Sequence, residues 1–259
     1  GLAITVVLQS SSLTTVLVVS MVNAKVLTLK EAFAIIIGAN IGTTITAHLV
    51  SFDLHRMALP IFTIGFLISL LPFAGWRQWG RITISFSILL LGFNFMVEGL
   101  SPLSELEIVR EYLKSSGEYI WKGITTGFVT TAIIQSSSAI MGMAIALAKE
   151  GNIDISAALA LFMGADIGTC VTALLAAVRT GVNARLAALF HLLFNLFSML
   201  IVVPWFRLFV RIVECTSSDL PRQLANAHTL YNLWGAVFLL SILHLSFYLA
   251  GQIKSDLFK

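Results

Sequence analysis

Apolar residues run through this chain in stretches long enough to cross a bilayer, broken at intervals by short polar clusters, and no strand-type alternation occurs. From Ser116 to Gly151 the chain is mostly apolar. As one helix it would be about 50 Å long, against a hydrocarbon core of about 30 Å. A break at the polar Ser136–Ser138 turns this stretch into a predicted re-entrant hairpin. Its returning arm, Ala139 to Lys149, climbs about 16 Å, and Lys149, Glu150, Gly151 and Asn152 then make a surface turn. Ser156 to Arg179 is long enough to cross, with an expected interruption at Gly164 and Gly168 around Asp166. Segments 57–75, 81–101, 184–209 and 226–250 are each of spanning length, with Pro60 and Pro72 tolerated where neighbours satisfy the freed carbonyls. The stretch 102–118, carrying Glu105, Glu107, Arg110, Glu111 and Lys114, reads as a surface loop.

The polar clusters repeat. Gln9-Ser10-Ser11-Ser12 recurs as Gln135-Ser136-Ser137-Ser138, an offset of 135 − 9 = 126. Gly38-Ala39-Asn40-Ile41-Gly42-Thr43-Thr44 recurs at the same offset as Gly164-Ala165-Asp166-Ile167-Gly168-Thr169-Cys170. The first copy is thus expected to return over Ser12–Val22, turn over 23–30, and cross over Glu31–Val50 with a break at Gly38–Thr43. Gly1–Leu8 matches Gly127–Ile134, so the chain is expected to begin inside a repeat, with an upstream helix missing. Three crossings separate the hairpins (31–50, 57–75 and 81–101). An odd number makes the second hairpin enter from the opposite face, an inverted repeat. The predicted fold is an all-α polytopic membrane protein with two inverted-topology repeats, each holding a re-entrant helical hairpin and a discontinuous transmembrane helix. Residues 1–80 form the first repeat, 81–210 the second, and 211–259 a C-terminal loop and helix.

Composition narrows the class. The chain is 58% hydrophobic and 11% charged with a mean hydropathy of +0.93, which excludes an ordinary soluble domain and, without alternation, disfavours a barrel. A net charge of +3 without a polybasic block gives no reason to expect nucleic acid. Two cysteines, Cys170 and Cys215, imply neither a disulfide framework nor a cysteine-based zinc site. No removable signal peptide is recognisable. Eight Lys and Arg fall on each predicted side; the side with shorter loops, holding Lys25, Lys30, Arg77, Arg81, Arg179, Arg185, Lys254 and Lys259, is placed in the cytoplasm.

A helix broken at mid-depth leaves backbone groups unpaired where there is no water, at several kcal/mol each, unless something binds them. Serine hydroxyls there can donate to an anion, and a half-helix starting after Ser12 or Ser138 aims its positive dipole end at it. Carbonyls and Ser, Thr and Asn oxygens suit a hard cation such as sodium. Small residues also let membrane helices pack closely, an alternative that duplication of both motifs weakens. Gln9 and Gln135 can be ligands or braces of the hairpin. Asp166, which stands where the first repeat has Asn40, can attract a cation or, protonated, donate a hydrogen bond. Glu98 suits an interfacial or a buried carboxylate. His191 with Asn195, and His228 with Asn232, share the spacing His-x-x-aromatic-Asn, which puts both polar groups on one helix face, to line a pathway or bond a neighbouring helix. His48 and His244 read as packing or cavity residues.

Paired Gln-Ser-Ser-Ser segments, each followed by a Gly-Ala-Asn-Ile-Gly-Thr-Thr-like segment, resemble the type II sodium-phosphate cotransporters and their bacterial relatives. The resemblance covers about residues 1–52 and 92–180, including Gly92–Leu100, and His191–Asn195 is similar to bacterial members. It implies sodium-coupled symport of inorganic phosphate across the plasma membrane by alternating access, in a multi-pass protein of the bacterial inner membrane. Phosphate, sodium and the bilayer are the implied partners, no organic cofactor is expected, and a homodimer stays open. Gln9, Ser10, Ser11, Ser12, Gln135, Ser136, Ser137 and Ser138 would hold phosphate. Ser11, Asn40, Thr43, Thr44, Ser137, Asp166 and Thr169 would hold sodium, and His191, Asn195, His228 and Asn232 are pathway or structural polar residues. Asp166 and Cys170 depart from the family's Asn and Thr, which bears on ion stoichiometry and proton coupling. Bacterial relatives often carry a soluble C-terminal regulatory domain, whereas this sequence stops at Lys259. Transport of another oxyanion or a carboxylate is the runner-up; an intramembrane serine hydrolase using His191 or His228, or an anion channel, is more remote.

Overall fold

The computed structural model describes residues 1–52, 55–107, 111, 119–149 and 151–256, and these contain helices and connecting turns but no strand. In order they form α1 (Leu2–Leu8), α2 (Ser11–Asn23), α3 (Leu29–Ser51), α4 (His55–Ser69), α5 (Ala74–Glu105), α6 (Ile120–Ile134), α7 (Ser137–Lys149), α8 (Ile155–Gly168), α9 (Cys170–Ala177), α10 (Val182–Val202), α11 (Phe206–Glu214) and α12 (Leu220–Asp256). Among the described residues, three stretches are long and apolar enough to cross a membrane: Leu29–Ser51, Ile155–Ala177 and Val182–Glu214. Leu67, Trp79, Ile133 and Val182 stand exposed on the outside, as befits a chain whose surroundings are lipid. His244, Glu150 and most of 102–118 lie outside the described residues or side chains.

The 126-residue offset reappears in the backbone. α1 ends at Leu8 and α6 at Ile134; α2 spans Ser11–Asn23 and α7 Ser137–Lys149. α3 begins at Leu29 and ends at Ser51, while α8 begins at Ile155 and α9 ends at Ala177. The connecting turns match too. Lys25 and Gly151 both adopt positive φ, and the amides of Val26 and Asn152 donate to the carbonyls of Met21 and Leu147, each at 2.9 Å. The Thr28 hydroxyl caps α3 at the amide of Glu31, and the Asp154 carboxylate caps α8 at the amide of Ala157.

Glycines set how closely α1 lies on α3, and α6 on α8. A Cβ on Gly42 would meet the Leu2 carbonyl and Thr5, and one on Gly168 the Phe128 carbonyl and Thr131. Gly164 sits against the carbonyl of Ile124, and Gly127 against that of Leu161. This corrects the expected breaks. α3 runs unbroken through Gly38–Thr43, because its glycines give up a side chain for backbone contact rather than ending the helix. In the second copy α8 passes into α9 at Thr169, which keeps right-handed helical angles (φ −61, ψ −25), so Ile155–Ala177 forms one span of 23 residues without the expected break.

The tips shift in the same way. The chain turns at Gln9–Ser10 and Gln135–Ser136, so Ser11, Ser12, Ser137 and Ser138 already belong to the first turns of α2 and α7. Segment 57–75 also divides: α4 stops at Ser69, about 22 Å long, and α5 starts at Ala74 beyond Pro72, whose missing N–H cannot continue the ladder. The apolar run 184–209 divides near Pro204 into α10, a short turn of tighter helix at Val203–Trp205, and α11.

α8 is the centre of one core. Every residue from Ala157 to Gly168 is buried, as expected of a helix apolar on all sides, and α6, α7, α10, α11 and α12 surround it. A second core gathers Val18, Val19, Ile36 and Ile37 from α2 and α3 with Ala173, Ala187 and Phe194 from α9 and α10. Phe33 stacks on Phe190 at 3.9 Å between ring centroids, fixing α3 on α10.

Candidate functional site

The two tips meet. Gln9, Ser10, Ser11, Ser12, Gln135, Ser136, Ser137 and Ser138 line a single cavity with Thr43 and Leu89, of about 260 Å³. At about 30 Å³ per water this is room for some eight waters. Each tip is shaped by its own residues. Gln9 (φ 54, ψ 26) and Gln135 (φ 59, ψ 27) take the left-handed conformation that ends α1 and α6. Ser10 and Ser136 then cap the next helices, their hydroxyl oxygens accepting from the amides of Leu13 and Ala139, both at 3.2 Å. The N-terminal turns of two 13-residue helices therefore border the cavity, each carrying a fractional positive charge at that end.

Beside it lies a smaller space of about 10 Å³, lined by Thr43, Thr46, Ser137, Ser138, Asp166 and His228 among others. That is about the volume of one water-sized sphere. The rest of its wall is apolar, from Ala47, Val50, Met141, Phe162 and Ala165. The Thr43 hydroxyl is buried and has no protein partner.

Asp166 organises the polar interior behind this space. Its carboxylate lies 3.2 Å from His228 Nε2 and accepts from Asn232 Nδ2 at 3.2 Å, while its backbone carbonyl accepts from Asn195 Nδ2 at 2.7 Å. Asn195 Nδ2 also lies 3.2 Å from Cys170 Sγ, and the Tyr231 hydroxyl donates to the Asn195 carbonyl at 3.1 Å. His191, Asn195, His228 and Asn232 are all buried. The two His-x-x-aromatic-Asn pairs thus approach one acidic helix from α10 and α12. Both ring nitrogens of His191 and the side-chain oxygens of Asn195 and Asn232 have no partner among the described residues.

The sequence model of the Na+/Pi-cotransporter family matches residues 1–98 and 88–211. The chain belongs to the type II sodium-phosphate cotransporter family. It is 30% identical over 249 residues to "Uncharacterized protein YqeW" of Bacillus subtilis (strain 168), covering 95% of this chain and 80% of that one. It is 29% identical over 238 residues to "Putative inorganic phosphate export protein YjbB" of Escherichia coli (strain K12), covering 90% of this chain and 43% of the relative. A segment of 51 residues is 53% identical to "Sodium-dependent phosphate transport protein 2B" of Homo sapiens, covering 20% of this chain and 7% of the relative. The chain therefore spans less than half of YjbB. No solved structure is significantly similar to it.

Within this family member the residues singled out by the sequence divide into three groups. Both tetrapeptides and Thr43 border the larger cavity, and Ser137, Ser138, Thr43 and Asp166 border the smaller one. Asn40, Thr44 and Thr169 instead donate to carbonyls of their own helix turns, those of Ile36, Ile41 and Asp166. His48 bonds Thr229 of α12 at 3.0 Å, and Glu98 is exposed. Thr46 and Leu89 were not foreseen. Thr46 had a signal available, because the motif comparison continues two residues further, where Thr46 is matched by Thr172. Leu89 had none.

Proposed function

We propose that this chain moves inorganic phosphate across the membrane together with sodium, by alternating access between two inverted repeats. The observation that carries the reading is the single cavity shared by Gln9–Ser12 and Gln135–Ser138, two equal segments separated by 126 residues. Membership of the family and the names of the relatives supply the substrate class. Ser11, Ser12, Ser137 and Ser138 donate to the anion, and the amino-terminal ends of α2 and α7 add two favourable dipole ends. Sodium fits the smaller space, where Thr43, Thr46, Ser137 and Ser138 offer neutral oxygens near the Asp166 carboxylate, the ligand chemistry a hard cation takes. In this arrangement the two tips are re-entrant, entering from opposite faces, and the cation and anion lie close enough for each to lower the cost of the other. Net direction follows the ion gradients.

The test is labelled phosphate flux into proteoliposomes of the purified chain. Flux that rises with an inward sodium gradient and is competed by arsenate supports the reading. Equal flux in sodium and in potassium overturns the coupling. Competition by sulfate or dicarboxylates but not arsenate replaces phosphate with another anion.

A further inference from the structure

Repeats that share their helix ends residue for residue should share their side-chain bonds wherever the residue types agree. At the tips they do not. The Thr46 hydroxyl donates to Gln9 Oε1 at 2.6 Å, and Gln9 Nε2 donates to the Val6 carbonyl. Both ends of the Gln9 amide are thus engaged, and the first tip is held against α3. Gln135 and Thr172 stand 126 residues further on, with the same side chains, and Gln135 has nearly the same backbone angles as Gln9. Yet the Gln135 side chain is exposed at the cavity and makes no side-chain hydrogen bond among the described residues, while the Thr172 hydroxyl is buried without a partner. A buried hydroxyl left unpaired is unfavourable, so its partner belongs to another arrangement of the same parts.

The helices carry the two pairs alike, and the copies differ at the tips. In the first, Thr5 of α1 lies against Gly42 of α3, and one turn along both helices Gln9, which ends α1, meets Thr46 of α3. In the second, Thr131 lies against Gly168 in the same way, and Thr172 follows about one turn on, with Thr169 between them keeping right-handed helical angles (φ −61, ψ −25). Thr172 lies in the first turn of α9. The Ser12 hydroxyl of the first tip reaches the Thr169 carbonyl at 3.4 Å, and the equivalent Ser138 makes no bond to Thr43.

We infer that Gln9–Thr46 and Gln135–Thr172 are two copies of one latch, closed in the first repeat and open in the second, which exchange during transport. Both glutamines border the cavity, but only the one in the open latch has its amide free to contact the anion, and Thr46 and Thr172 are positioning residues that tie up each glutamine in turn. The inference rests on the alternating-access reading above, and it follows from the general behaviour of inverted repeats, whose two end states swap the conformations of equivalent parts.

Disulfide trapping tests it. Cys215, the exposed cysteine, is replaced by Ser, and Cys170 is left in its buried site. Into this background go Gln9→Cys with Thr46→Cys, Gln135→Cys with Thr172→Cys, and all four together, and membranes are treated with a mild oxidant. Each pair is expected to cross-link, no molecule of the four-cysteine chain to carry both bonds by intact mass, and each bond to lower phosphate flux at least tenfold until a reductant restores it. A second pair that never cross-links, with or without phosphate and sodium, overturns the inference, as do both bonds in one molecule. Trapping requires no phosphate flux. Mutually exclusive bonds in a chain that moves no phosphate would keep the latch and discard the substrate. Thr172→Val provides an independent check: it removes the orphan hydroxyl, so thermal stability should stay equal or rise, while maximal flux falls at least fivefold and Thr172→Ser restores it. Unchanged flux in Thr172→Val overturns the latch.

Discussion

His228 Nε2 lies 3.2 Å from a carboxylate oxygen of Asp166, joining α12 to α8 across 62 residues of sequence. Both partners are buried, and Asn232 supplies a second donor to the same carboxylate. Breaking a buried pair by deleting one member strands the other, at about 3–5 kcal/mol. Asp166→Ala should therefore lower the melting temperature in detergent sharply. Asp166→Asn, which copies the Asn40 of the first repeat, keeps an acceptor oxygen and should cost about 1–3 kcal/mol. Asp166→Asn melting with the parent protein would show that the carboxylate charge is not what holds α12, and equal melting of the two variants that the retained amide oxygen adds nothing.

The helix contacts at glycine make a second prediction. A Cβ on Gly164 meets the backbone carbonyl of Ile124, which cannot rotate away, whereas one on Gly75 meets nothing within 4 Å. Gly164→Ala should destabilise by about 1–3 kcal/mol through overpacking. Gly75→Ala should be neutral or slightly stabilising, by up to about 1 kcal/mol. Thermal melts of both in the same detergent check the difference, and indistinguishable curves would contradict the packing.

Ser11 and Ser137 begin α2 and α7 at the shared cavity. A hydrogen bond to a charged ligand is worth about 1.5–3 kcal/mol, so Ser11→Ala or Ser137→Ala should raise the phosphate concentration for half-maximal flux roughly ten- to a hundredfold. Saturation curves in proteoliposomes measure this. A change confined to expression level, with an unaltered curve, would remove these hydroxyls from the site.

Gln135 holds φ at 59 although it is not glycine. The left-handed conformation costs an L-residue roughly 1–2 kcal/mol, which glycine avoids while losing more freedom on folding. Gln135→Gly should stay within about 1 kcal/mol of the parent protein in stability, yet lose flux because the tip has lost its amide. Loss of stability and flux together would make Gln135 a structural residue.

Much of the architecture was legible along the chain because it is written twice. A single offset located both tips, both following helices and the capped turns between them, and hydropathy identified lipid as the surroundings. Glycine was ambiguous. In a membrane helix, Gly38 and Gly164 serve equally for a break and for a close neighbour, and only the positions of Leu2 and Ile124 separate the two. The length of α4 was overread because Leu70 and Leu71 continue an apolar run past the point where Pro72 stops the helix.

What the sequence by itself determined is the repeat, the helical membrane class and the kind of chemistry the tips offer, since each depends on residue type and spacing alone. Tertiary structure decided which groups meet: both tetrapeptides at one cavity, His228 and Asn232 at Asp166, and Gln9 but not Gln135 at a threonine. The last difference could not be read from identical residues at identical spacing. It lies in which groups the folded chain brings within bonding distance at each tip, and contacts of that kind are set by packing rather than by residue type.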